Sequence, residues 1–276
     1  MRLPAPLLLD GAMGTALLAR GLSGGALPEE WVLERPEEVA GVHASHAGAG
    51  AGLVLTCTFN AAAPRLEARL DPRRIDAACG AAVRLARGAA PGAMVAGDLG
   101  PTGLAGPGLP RPDPAALADR YARPTSALVR AGADLLWIES QWDLAEARAA
   151  LAAARAQGLP AAVTFTFRLE GGRLAAADGT PARECLLAVA ADGALAVGVN
   201  CVAPGEALTD LTAWATAALA VPFAAKPSPG LPGAVLPPPA FAAALAPAFR
   251  AGLRVAGGCC GATAEHLRAI GEALAA

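Results

Sequence analysis

Three of the six cysteines stand where thiol chemistry would need them. Cys201 closes the run Gly-Val-Asn-Cys at 198–201, and Cys259 and Cys260 sit side by side within Gly-Gly-Cys-Cys-Gly at 257–261. Three thiolates at about 2.3 Å occupy three corners of a tetrahedral zinc ion and leave the fourth open, which separates a catalytic site from a closed structural one. A substrate thiol in that corner loses its proton at neutral pH, although a free thiol titrates at about 8.5, and remains an electron-rich nucleophile. Attack on an electrophilic methyl group is the chemistry that suits it. A Cys-Cys pair taken alone is more often buried than metal-bound. Two adjacent cysteines can share one ion only if the backbone bends sharply, and Gly257, Gly258 and Gly261 are expected to permit that bend.

The elements that must position these residues follow from hydrophobic period. Short apolar runs at 6–10, 53–57, 93–98, 134–139, 161–167, 195–200, 221–225 and 253–257 read as strands. Helical stretches lie between them, near 36–48, 71–88, 114–131, 142–157, 181–191, 206–218, 238–249 and 263–275, several opened by Pro or by Asp-Pro. Eight β-then-α units predict a (β/α)8 barrel, a TIM barrel, as one domain over 1–276. An open doubly wound sheet is the alternative, but no glycine-rich dinucleotide fingerprint follows the first strand. Catalytic groups of such barrels sit at the C-terminal ends of strands. Here three of those ends read Asp10-Gly11, Asn200-Cys201 and Gly257 to Gly261, with the sixth and eighth strands near neighbours. The segments 100–114 and 227–239 are expected as loops over that face.

Composition narrows the class. With 54% hydrophobic and 4% aromatic residues, the core must be built mainly of Ala, Leu and Val. The net charge of −2 and the lack of a basic block argue against nucleic acid. No apolar stretch approaches the roughly 18–20 residues that span a bilayer, and the start carries no targeting signal, so a cytoplasmic protein is expected. In that compartment, metal ligation or plain burial of Cys57, Cys79, Cys185, Cys201, Cys259 and Cys260 is favoured over three disulfides.

GVNC at 198–201, GGCCG at 257–261 and LDGAMGT at 9–15 together resemble the motifs of the zinc-dependent homocysteine S-methyltransferase family, over essentially the whole chain. GDLGPTG at 97–103 and DGAMGT look nearer to the homocysteine domain of cobalamin-dependent methionine synthase. The resemblance implies Zn2+ on Cys201, Cys259 and Cys260, and homocysteine as acceptor. It further implies a substrate-binding set of Asp10, Gly11, Ala12, Glu139 and Asn200, with Asp10, Gly11 and Glu139 on the ammonium group. Backbone N–H groups of the Gly11–Gly14 turn could receive the carboxylate. The donor is left open between a small sulfonium (S-methylmethionine or S-adenosylmethionine) and a methylcorrinoid on a separate protein.

Two stretches depart from that family. Its second strand ends Thr-Asn-Thr-Phe, here Thr56-Cys57-Thr58-Phe59. Its seventh ends Pro-Asn-Ala-Gly before a proline, read here as Pro222-Phe223-Ala224-Ala225. Cys57 as a fourth thiolate would close the site, and a packed thiol is the plainer reading. His43 and His46 are i, i+3 on one helix and read as packing. A cationic donor could stack on Trp142. Lys226 invites a rival reading as a Schiff-base lyase. A metal- or thiol-sensing module, or an inactive homocysteine-binding barrel, is the remaining alternative.

Overall fold

The strands and helices alternate because each apolar run is too short to bury itself and each helix offers one apolar face to cover it. In the computed structural model, which describes residues 1–105, 109, 112–231 and 233–275, the strands are β1 (Leu7–Leu8), β2 (Leu53–Leu55), β3 (Met94–Leu99), β4 (Leu135–Gln141), β5 (Ala161–Phe165), β6 (Arg168–Glu170), β7 (Arg173–Ala175), β8 (Ala196–Asn200), β9 (Phe223–Lys226) and β10 (Val255–Ala256). Eight of them form one parallel sheet in the order β1-β10-β9-β8-β5-β4-β3-β2. A parallel bridge between Leu9 and Leu53 joins its two ends, so the sheet closes into the expected (β/α)8 barrel. The helices include α1 (Met13–Ala19), α2 (Pro28–Glu34), α3 (Pro36–Gly48), α4 (Pro64–Glu67), α5 (Pro72–Ala89), α6 (Pro114–Arg130) and α7 (Leu144–Ala156). After them come α8 (Ala182–Ala191), α9 (Glu206–Ala218), α10 (Pro238–Arg250) and α11 (Ala264–Ala275).

Asp71 and Asp113 cap α5 and α6 by accepting backbone N–H groups of the first turn, as expected, and Asp143, read from sequence as lying inside its helix, caps α7 in the same way. Inside the barrel, Trp137 shares one buried cluster with Leu7, Leu9, Leu53, Leu55 and Leu135 and with four small residues, Ala96, Ala162, Ala196 and Ala224. One large ring opposite several methyl groups fills the interior at close packing, which is how a chain with few aromatics still has a solid barrel. A second, larger apolar layer lies between strands and helices.

Three helices and a hairpin go beyond the expected units. The helices α1, α2 and α4 occupy the connections after β1 and β2, and β6 and β7 form an antiparallel hairpin after β5. The hairpin's strands are largely solvent-facing and lack the apolar run that marks a barrel strand. Within the two long loops expected at 100–114 and 227–239, residues 106–108, 110, 111 and 232 lie outside the described residues. Among those described, no helix is long and apolar enough to cross a membrane.

Candidate active site

The strand order sets β9 between β8 and β10, so the residue ending β8 and the loop leaving β10 meet over the end of β9. That loop and the β8 end are both tied to β9's exit. Cys201 N–H donates to Lys226 O at 3.1 Å, and Cys259 N–H donates to Pro227 O at 2.9 Å. The sulfurs of Cys201, Cys259 and Cys260 consequently all lie within 4.8 Å of one another. Cys201 Sγ and Cys260 Sγ are 3.9 Å apart, close to the roughly 3.8 Å edge of a tetrahedron with metal–sulfur bonds of about 2.3 Å. Cys201 and Cys259 are in disulfide contact, their Cα atoms 5.4 Å apart. The sequence does not favour three disulfides, and among the described residues Cys57, Cys79 and Cys185 are free and buried. With the pair reduced, the donor set fits a soft divalent ion: three thiols on short, tethered loops at the spacing a tetrahedral ion asks for.

The backbone around the cluster is unusual in ways the sequence does not announce. Ser140 and Cys201 have φ of 59° and 55°, the two non-glycine residues in the left-handed region among those described. Such conformations gather at functional sites because packing must hold them. The glycines act differently from the expectation. Only Gly261 of the three has a positive φ (83°). A side chain at Gly257 would meet Asp10 O and Leu9, so Gly257 serves by close approach of two chains rather than by turning.

Asn200, placed by resemblance in the substrate set, is fully buried and its amide faces the sulfurs. Its Nδ2 donates to Ser140 Oγ at 2.6 Å and points at Cys201 Sγ (3.7 Å) and Cys259 Sγ (3.9 Å), while its Oδ1 accepts from Ser140 N–H and Thr164 Oγ1. It orients the cysteines from behind. Asn200→Ala leaves the Ser140 N–H and the Thr164 hydroxyl unpaired in the interior. A stability loss of about 1–3 kcal/mol is expected from that, read from denaturant midpoints. An unchanged midpoint would show that water replaces the amide.

Beside the thiols lies a charged group. Asp10, Glu139 and Lys226 are all buried. Lys226 Nζ donates to Asp10 Oδ1 at 2.9 Å and to Glu139 Oε2 at 3.4 Å, and Leu55 N–H donates to Asp10 Oδ2 at 2.8 Å. Burial by itself favours the neutral amine, but the two carboxylates outweigh it and hold Lys226 protonated, above the ordinary lysine range. A protonated, ion-paired amine is no nucleophile, so the Schiff-base reading of Lys226 loses its chemical basis. Burial also pushes the Glu139 carboxyl up, against the pull of Lys226. Asp98, likewise buried, is pushed well up by burial and then by the Glu139 charge.

These groups line a cavity of about 550 Å³ together with Gly11, Ala12, Cys57, Cys201, Cys259 and Cys260. Gly11 is confined between His46 and Ala262 O, and the Ala12 N–H already donates weakly to Ala262 O at 3.4 Å. Cys57 lies in the wall but outside the sulfur cluster, and burial pushes its thiol well up. His43 and His46 are packed on α3, and burial lowers His43 to about 4, which keeps it neutral. Glu29, missed from sequence, also reaches the cavity and accepts from Asn60 N–H and Nδ2 at 2.7 and 3.0 Å. A second hollow of about 750 Å³, lined by Phe59, Leu109, Trp142 and Thr166, meets the first at Ser140 and Cys201. β9 runs from Phe223 to Lys226, so Pro222 precedes the strand and its exit reads Lys226-Pro227-Ser228-Pro229-Gly230.

Comparison with known proteins decides the family. The model of the homocysteine S-methyltransferase family matches residues 7–274. The chain belongs to the homocysteine S-methyltransferase family. It is 35% identical to the homocysteine S-methyltransferase of Escherichia coli over 71% of this chain and 69% of that one. It is 30% identical to the S-methylmethionine–homocysteine S-methyltransferase of Rattus norvegicus over 96% and 77%. Against methionine synthase of Mycobacterium tuberculosis the identity is 29% over 96% of this chain, which spans about a quarter (24%) of that protein. The metallated homocysteine methyltransferase MmuM of Escherichia coli superposes with a TM-score of 0.80 at 30% identity, covering 96% and 94% of the two chains. As a member of this family the chain is a methyltransferase whose acceptor is homocysteine.

Proposed function

We propose that this homocysteine S-methyltransferase holds Zn2+ on Cys201, Cys259 and Cys260 and methylates homocysteine with a small sulfonium donor, S-methylmethionine or S-adenosylmethionine. The observation that carries the reading is the convergence of three sulfurs within 4.8 Å, at the point where two hollows meet. Zinc bound there supplies an acceptor sulfur that is deprotonated at neutral pH. The chain's own residues do the rest. The buried carboxylates hold the ammonium of the acceptor, and N–H groups of the Gly11–Gly14 turn face its carboxylate. Asn200 keeps the cysteine sulfurs in place. The apolar walls exclude water, so that the thiolate meets the methyl carbon in line rather than solvent.

The sulfonium is favoured by the name of the rat relative and by the outer hollow, where the Trp142 face offers a cation a favourable electrostatic contact. A corrinoid protein docking at the same mouth is the second reading, favoured by the methionine synthase likeness. Cytoplasmic location and a single domain over 1–276 belong to the same proposal. One assay separates the donors: methionine formation from homocysteine with S-methylmethionine, S-adenosylmethionine, betaine or methylcobalamin, using reduced, zinc-loaded protein. Turnover with either sulfonium is expected. Turnover with methylcobalamin alone would reverse the donor assignment. No turnover with any of them, together with no bound metal, would sink the reading.

A further inference from the structure

Four buried carboxyl groups reach the cavity beside the thiols; Glu29 is satisfied by Asn60, which leaves Asp10, Asp98 and Glu139 around one buried cation, Lys226. The three acids are not equivalent. Both oxygens of Asp10 are engaged, one by Lys226 and the other by the Leu55 N–H. Glu139 shares Lys226 through Oε2 at the longer distance of 3.4 Å. Among the described residues its Oε1 receives no hydrogen bond, and it belongs to the cavity wall. Asp98 is 6% exposed, and among the described residues its buried Oδ1 has no hydrogen-bond partner.

The Asp98 backbone is held on both sides, which fixes where its side chain leaves the strand. Its N–H donates to Thr56 Oγ1 at 3.0 Å, and its carbonyl accepts from Thr58 Oγ1 at 2.7 Å. A buried carboxyl without a hydrogen bond is costly, and natural sites tolerate one where a ligand completes it. Lys226 offsets one negative charge where three carboxyls crowd together. What remains unfilled is a place for a second cation with hydrogen-bond donors, bordered by Asp98 on β3 and Glu139 on the adjacent strand β4.

We propose that in this chain Lys226 serves as the internal counter-ion of Asp10, and that the ammonium of the acceptor amino acid is received by Asp98 together with Glu139. Asp98 is thus a specificity-determining residue that makes the site select a thiol carrying an α-amino group. The inference rests on the acceptor being homocysteine, as the proposed function has it. Asp10, by contrast, acts at one remove, by holding Lys226 and the end of β2.

The test compares two thiols that differ only in the amino group, L-homocysteine and 4-mercaptobutanoate. Both are titrated into reduced protein loaded with Co2+, whose absorption reports entry of a further sulfur without any methyl donor. The wild type is expected to prefer homocysteine, and Asp98→Asn to shrink that preference at least roughly tenfold, the loss of one charge-assisted hydrogen bond. Asp98→Ser, smaller and equally neutral, should behave alike, and circular dichroism checks that both variants fold. A preference that survives in both variants overturns the role of Asp98 while leaving the methyltransferase reading intact. A wild type whose cobalt spectrum ignores homocysteine overturns the acceptor assignment and this inference with it.

Discussion

Replacing Cys259 by Ser is expected to strip the protein of its metal and of methyl transfer together. The hydroxyl is a poor ligand for a soft ion and stays protonated at neutral pH, so one corner of a three-cornered site is lost outright. Disturbing contacts behind a ligand costs about 10–100-fold in metal affinity, and losing a ligand itself should exceed that. After reduction and dialysis against a weak chelator, the wild type should retain about one metal per chain by elemental analysis and the variant close to none. Methionine formation should fall in parallel. The fold should survive, because Cys259 belongs to a loop after β10 and not to the strand ladder. A variant that keeps both metal and activity would show that the three sulfurs are not a metal site.

The second large effect concerns stability. Lys226→Met is expected to cost about 3–5 kcal/mol at pH 7.5, because it leaves the Asp10 and Glu139 carboxylates buried without their cation. For a chain of this size that corresponds to a Tm lower by roughly 10 °C. The pH dependence gives the mechanism away. Burial raises the Glu139 and Asp98 carboxyls in the folded state. The folded protein therefore binds those protons more tightly than the unfolded chain does, and their ionisation costs stability as pH climbs above the unfolded carboxylate pKa of about 4. In the wild type the lysine charge offsets part of that cost. Lys226 stays charged across this window, since its own folded pKa lies above the ordinary lysine value. Without it the deficit should be largest at pH 7.5 to 8 and narrow as pH falls towards 5. Thermal unfolding of both proteins at the two ends of that window is the measurement. A deficit that is the same at each pH would point to lost packing of the lysine stem instead of lost charge.

The two effects are linked through one stretch of chain. β9 ends at Lys226, whose amine pairs with Asp10 and Glu139 in the cavity, and whose carbonyl accepts from the Cys201 N–H. Pro227, next in sequence, holds the Cys259 N–H in the same way. The strand between the two cysteine-bearing strands therefore sets both the spacing of the sulfurs and the charge of the pocket beside them.

Much of this molecule is legible in its sequence. The eight barrel strands and their covering helices are written in hydrophobic period, a signal that depends on neighbours two to four residues apart. The cysteine trio is legible because the motifs at 198–201 and 257–261 fall at the ends of two such strands. The capping aspartates at 71 and 113 are equally local. The hairpin of β6 and β7 escapes such reading because its strands face solvent and carry no apolar run. The partnership of Lys226 with Asp10 escapes for a different reason. The two residues are 216 positions apart and meet only because the barrel closes, so no window along the chain contains both. The same holds for Asn200 turning towards the sulfurs and for the unpartnered Asp98. Which residues could do chemistry is a matter of residue type and strand position. Which of them already satisfy one another, and which are left waiting for a ligand, is decided by closure of the sheet, because burial and charge pairing depend on distance in space and not along the chain.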